Sequence, residues 1–232
     1  MSNYVISDIH NDNGRLLKML KKIRFSDQDH LFILGDLFDR GGSEADPVGV
    51  YHTLLGLGEN VSYIKGNHDL WLANYIKEYY QLPPKKRAVF REYYYNSFRL
   101  MYSRLTQVDM LEIADTVLKW PLQKSVVIEG QKYLFAHAMT SPEDQSEDED
   151  HYLMGLSLDF KFLRNGIDGY VSVCGHNPTP NIRAIYGDDV RPKKPEIWHN
   201  TKENVYMIDC GCGFVSGRLA CMRLEDKQEF YA

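Results

Sequence analysis

No Cys-x-x-Cys pair occurs anywhere in the 232 residues. The four cysteines, Cys174, Cys210, Cys212 and Cys221, crowd into the last quarter of the chain. The closest two are separated by a single residue, and no second pair completes a four-thiolate zinc site. Buried, reduced thiols are therefore expected. Long apolar runs are missing too, and none reaches the length needed to cross a bilayer. The first ten residues have no basic stretch ahead of an apolar one, so no secretory leader is read there. Positive charge is not in excess. A net charge of -5 and a pI near 5.9 argue against a general nucleic-acid or membrane-surface binder. The expectation is a soluble, cytoplasmic protein without a membrane partner.

What is present is ordinary globular composition, 44% apolar and 25% charged, in a length that suits one large α/β domain. The stretch Gly35-Asp-Leu-Phe-Asp-Arg-Gly41 stands out. It follows the apolar run Leu31–Leu34, which reads as a buried strand, and it delivers two carboxylates and a guanidinium at that strand's end. Glycines at 35, 41 and 42 mark a turn where backbone approaches something closely.

Two further β–loop–α units have the same form. Asn3–Ile6 reads as a strand ending in Ser7-Asp8-Ile9-His10-Asn11, with a helix over Gly14–Ile23 whose stripe is Leu16, Leu17 and Leu20. Period-two alternation puts Asp8 and His10 on one side of an extended backbone, a pairing that suits a divalent metal. Asp46-Pro47 resembles a helix start, with Val50, Leu54, Leu55 and Leu57 facing inward. Val61–Ile64 then runs into Gly66-Asn-His-Asp69. The βαβαβ order predicts a largely parallel inner sheet.

From Leu70 to about Leu118 the chain is helix-favouring and rich in tyrosine, broken at Pro83-Pro84 beside Lys85-Lys-Arg87. Packing against the sheet is favoured over substrate contact for these tyrosines. A hairpin over Ser125–Ile128 and Tyr133–Ala136 delivers His137, and the acidic run Glu143–Asp150 reads as a solvated loop. A helix around Leu158–Leu163 precedes the strand Tyr170–Val173, which ends in Cys174-Gly-His176. Asn181–Asn204 reads as a long surface loop, and strands over Val205–Asp209 and Leu219–Leu224 close the chain.

Collected in order, Asp8-Ile-His10, Gly35-Asp-Leu-Phe-Asp-Arg-Gly41, Gly66-Asn-His-Asp69, His137-Ala and Gly175-His176 resemble the five motifs of calcineurin-like metallophosphoesterases. The resemblance is to the phosphoprotein phosphatase branch, which includes small bacterial and phage protein phosphatases and symmetrical diadenosine tetraphosphate hydrolases. It implies a four-layer α/β/β/α sandwich with mixed sheets, a single domain over 1–232 with a helical cap insertion at about 70–118. It also implies two divalent cations, manganese first, with iron or zinc as alternatives. Asp8, His10 and Asp36 would hold one. Asp36, bridging, with Asn67, His137 and His176 would hold the other, and a water activated between them would attack phosphorus.

By the same resemblance His68 would be the general acid, oriented by Asp39, while Arg40 and Asn67 would bind the phosphate. Two departures stand out. Asn11 replaces a glycine, and His137-Ala138 replaces His-Gly. A second phosphate-binding arginine has only Arg164 and Arg183 as candidates. The substrate implied first is a phosphoserine or phosphothreonine protein. A dinucleoside tetraphosphate or other small phosphoester is the alternative. A non-catalytic binding scaffold is a third reading, weakened because no ligand position is lost.

Overall fold

A computed structural model describes residues 1–90, 96–155, 159–187 and 192–232. Two five-stranded mixed sheets lie face to face among these residues. The first has the order β10-β9-β1-β2-β3, from Glu229–Tyr231, Ala220–Arg223, Asn3–Ile6, His30–Ile33 and Val61–Tyr63. Its β1, β2 and β3 run parallel, as the βαβαβ reading predicts, and β9 pairs antiparallel to β1. The second has the order β4-β5-β6-β8-β7, from Gln123–Ile128, Gln131–Ala136, Val171–Cys174, Val205–Met207 and Trp198–His199.

Alternation along the strands creates the layers. Val5 in β1, Phe32 in β2 and Leu34 just after it point into the cluster between the sheets, where they meet Tyr133, Phe135, Val173 and Tyr206. Tyr4, Ile6, Leu31 and Ile33 point the other way, into a helical layer. The far face of the second sheet puts Cys174, Val205 and Met207 against Phe162, Leu163 and Ile182. Burying a side chain of this size stabilises by about 1.5–3 kcal/mol. Phe135→Ala, opposite Phe32 at a 4.9 Å ring separation, would cost about 3–5 kcal/mol.

Helix α1 (Asn13–Ile23) begins where the Asp12 carboxylate accepts from Arg15 N at 2.8 Å. Its buried face is Leu16, Met19 and Ile23, and Leu17 is 51% exposed, which corrects the expected stripe. Helix α2 (Pro47–Leu55) is capped by Asp46 with Pro47 at its first turn, as read, but Leu55 faces solvent.

The described residues of 70–118 contain α3 (Asn67–Gln81), α4 (Pro84–Phe90), α5 (Asn96–Tyr102) and α6 (Gln107–Leu118). Their apolar side chains join the first sheet's outer face. Tyr75, Tyr79 and Tyr102 stack with Phe90 and Phe98, and Arg87 donates to the carbonyls of Leu82 and Tyr80, so packing occupies them. Tyr93, Tyr94 and Tyr95 lie outside the described residues.

The late chain needs more correction. The acidic run is helical from Glu149, in α7 (Glu149–Met154). Helix α8 (Phe160–Asn165) follows, and Leu158, where the helix was expected to start, is outside the described residues. The supposed loop after Asn181 contains most of α9 (Thr179–Tyr186) and all of β7. Strand β10 was not anticipated. All four thiols are buried and free, and burial pushes those of Cys174, Cys210 and Cys212 up to about 12.

Candidate metal centre

Five strands end on one side of the molecule and turn sharply there. Asp8, His10, Asn11, Asp36, Asp39, Arg40 and His176 all have φ between 49° and 63°, a left-handed backbone that costs energy for residues with a Cβ. Asn11 at φ 63° adopts the conformation expected of an asparagine in a glycine's place. Gly35 and Gly66 meet back to back, and a Cβ on Gly35 would sit 2.5 Å from Gly66 Cα. Gly41 is similarly confined by the His10 carbonyl, whereas Gly42 meets nothing.

These turns bring Asp8, His10, Asp36, Asn67, His137 and His176 together. Asp8, His10 and Asp36 form one group whose ligand atoms all lie within 4.8 Å of one another. Asp36, His137 and His176 form a second group of the same kind, so the Asp36 carboxylate belongs to both. Asn67 Oδ1 lies 2.9 Å from His137 Nε2 and 3.0 Å from His176 Nδ1.

Backbone carbonyls fix the two buried imidazoles. His10 Nδ1 donates to Phe38 O at 3.0 Å and His137 Nδ1 to Leu34 O at 2.7 Å. Each ring thereby turns Nε2 toward the cluster. Asp8 Oδ2 accepts from Ser7 Oγ at 2.5 Å and from His176 N at 3.0 Å. Asp8 Oδ1 is buried without a hydrogen-bond partner, 3.7 Å from His10 Nε2. An orphaned carboxylate oxygen facing imidazole nitrogens is costly unless a cation satisfies it, and this oxygen–nitrogen donor set suits manganese, iron or zinc. The residues fit two divalent ions.

The electrostatics agree. Burial pushes Asp8 up to about 6, with His137 opposing and Asp36 adding to the rise. Burial opposes charge on His137 as well, yet the adjacent Asp36 carboxylate pushes it up to about 10. Asp36 itself is held below the usual carboxylate range: burial pushes it up, but the charge and hydrogen bond of His137, with His10 and His68 beside them, together outweigh that. Burial lowers His10 and His176 to about 4.

A second set of side chains borders the first. His68 Nδ1 bonds Asp39 Oδ2 at 3.1 Å. Arg40 donates to His10 Nε2 at 3.0 Å and to His68 Nε2 at 3.3 Å. Four supporting residues make contacts that the sequence does not announce. Asp69 accepts from the backbone N–H of Asp36, Leu37 and Gly66, holding two of the turns together. Ser97, from α5, accepts from Asp39 N at 2.6 Å and donates to Asn11 Oδ1 at 3.0 Å. Asn11 Nδ2 in turn donates to Arg40 O. Asp209 is buried against Asp8, which together with burial raises its carboxyl well above the ordinary value. In the sequence, Asp69 belongs to the motif Gly66-Asn-His-Asp69 and Asn11 stands in a glycine's place, whereas nothing singles out Ser97.

Three of the remaining histidines serve locally, with His30 on Ser62, His151 on Thr140 O and His199 on Asn200 O. Arg164 is exposed on α8, and Arg183 donates to Ile197 O. No helix among the described residues is long and apolar enough to cross a membrane.

Known proteins are similar to this chain over nearly its whole length. A symmetrical bis(5'-nucleosyl)-tetraphosphatase of Salmonella paratyphi C is 25% identical, covering 99% of this chain and 94% of its own. A crystal structure provisionally named a diadenosine tetraphosphatase superposes with a TM-score of 0.65 at 18% identity, over 99% of this chain and 92% of that one. A protein serine/threonine phosphatase from Saccharomyces cerevisiae reaches a TM-score of 0.55 at 12% identity, over 100% and 79%. At those identities the two structures speak for the fold alone, and they share the two mixed sheets flanked by helices. The calcineurin-like phosphoesterase family model matches residues 1–208. With that match and the cluster at its strand ends, the chain is a phosphoester-hydrolysing enzyme of the calcineurin-like phosphoesterase family.

Proposed function

We propose that the enzyme hydrolyses symmetrical dinucleoside tetraphosphates, cutting the central anhydride to release two nucleoside diphosphates. One observation carries this. The tetraphosphatase relatives correspond to the chain end to end, 99% of one against 94% of the other. This reading displaces the phosphoprotein substrate that the motifs alone put first.

In this proposal Asp8, His10 and Asp36 hold one cation, and Asp36, Asn67, His137 and His176 hold the other, with manganese the first choice. When bound, the pair lowers the pKa of water and neutralises phosphoryl charge. The chain's own residues do the rest. Arg40 offers a planar fork to non-bridging phosphate oxygens. Asn67 presents its amide beside the same oxygens. His68 holds a proton for the departing oxygen, and Asp39 stabilises the charged ring that carries it. Water oxygen forms the new bond to phosphorus as the bridging P–O bond breaks, and the leaving phosphate takes up a proton.

The test compares turnover of diadenosine tetraphosphate with that of a phosphoserine peptide by the manganese-loaded enzyme. ADP as the sole nucleotide product, formed faster than phosphate from the peptide, supports the reading. Faster peptide turnover, or ATP with AMP, contradicts it. A protein phosphatase is the second reading, favoured by the Asp39–His68 pair, because a serine alkoxide leaves poorly without a proton.

A further inference from the structure

The turn after β8, Asp209-Cys-Gly-Cys-Gly-Phe-Val-Ser-Gly217, is drawn tight against the cluster. Phe214 N donates to Gly211 O and Gly217 N to Phe214 O, both at 3.1 Å, and Gly211 bridges to Arg218. Gly213 has φ +87°, and a Cβ there would lie 2.6 Å from His10 Cβ and 3.3 Å from Arg40 Cβ. Only glycine lets the turn rest on these two residues. Phe214 therefore sits at a fixed offset from His10 and Arg40.

The Phe214 side chain belongs to none of the three buried apolar clusters. Its ring is 48% exposed, and Arg40 Cζ lies 4.9 Å from its centroid. Val215 beside it is fully exposed. Burying a ring would stabilise the fold, so a ring held half in water by a built turn has no use in the core. Against a guanidinium that can bind phosphate, it offers a second kind of complementarity. A nucleotide carries both matching parts, an anion and a planar ring joined by one sugar.

We infer that Phe214 is a specificity residue, a stacking platform for the base of a nucleotide whose phosphate Arg40 holds. The inference rests on the proposed nucleotide substrate and deepens it, since the site then prefers nucleotides over phosphates that lack a base. Base–aromatic stacking of this kind changes affinity by about tenfold or more.

Calorimetric binding of AMP and of ribose 5-phosphate to the manganese-loaded protein tests this. The measured quantity is the ratio of the two affinities, in wild type, Phe214→Ala and Phe214→Trp. The wild type is expected to favour AMP by about tenfold or more, the alanine variant to lose most of that preference, and the tryptophan variant to keep it. A wild type without preference overturns the inference. So does an alanine variant with the wild-type ratio, whatever happens to absolute affinity. The ratio remains readable if the enzyme fails to cleave diadenosine tetraphosphate, so the two failures are distinguishable.

Discussion

The His68 imidazole is tethered at Nδ1 to Asp39 Oδ2, 3.1 Å away, and presents Nε2 beside Arg40. With Nδ1–H committed to a buried carboxylate, Nε2 accepts from Arg40; in the proposed role of general acid the ring would carry a second proton there instead. The benefit depends on what leaves. An alkoxide needs that proton, whereas a nucleoside diphosphate leaves as a phosphate with a second pKa of about 6 and needs it far less. His68→Asn should therefore slow phosphoserine peptide hydrolysis by about 10²–10⁴-fold and anhydride hydrolysis by much less, with metal content unchanged. Equal losses on both substrates would remove the general-acid role.

Proton balance gives a second expectation. Ligating groups must be deprotonated, yet without metal His137 is pushed up to about 10 and Asp8 to about 6. Metal binding at pH 7 should thus release a proton, chiefly from His137. Affinity should fall about tenfold per pH unit as pH drops from 8 to 6, and more steeply below, where Asp8 also gains a proton. Titration calorimetry in buffers of different ionisation enthalpy checks the release. A buffer-independent heat would contradict it.

Asp69 provides a third. Burial and the Asp36 charge push it up to about 7, and three backbone N–H groups converge on its two oxygens. Asn would keep one acceptor and aim an NH₂ at those donors. Asp69→Asn should cost about 2–4 kcal/mol in denaturant unfolding and displace Asp36 with it. A cost under about 0.5 kcal/mol would mean the turns hold without this brace.

The strand-end residues were legible because a short apolar strand followed by a polar turn puts chemistry where the backbone is already fixed. Ser97 and Asn11 were not, because their bond to each other joins positions 86 residues apart. Helix α9 was hidden because most of it falls in the stretch after Asn181, whose prolines Pro192 and Pro195 and charges read as loop, while its own start at Pro178 and Pro180 suits a helix's first turn. In α1, Leu16, Leu17 and Leu20 fit one apolar stripe, but the cap at Asp12 and the packing on β1 rotate the buried face to Met19 and Ile23. Strand β10 is three residues, two of them half-buried, and is specified by pairing with β9 rather than by pattern.

Asp36 is the one carboxylate common to both ligand groups among the described residues. Metal content after manganese saturation and desalting measures it directly, in wild type and in Asp36→Asn. Two ions per chain are predicted for the wild type and fewer than one for the variant. Two full equivalents retained by Asp36→Asn would contradict a shared ligand, and with it the arrangement proposed for the whole centre.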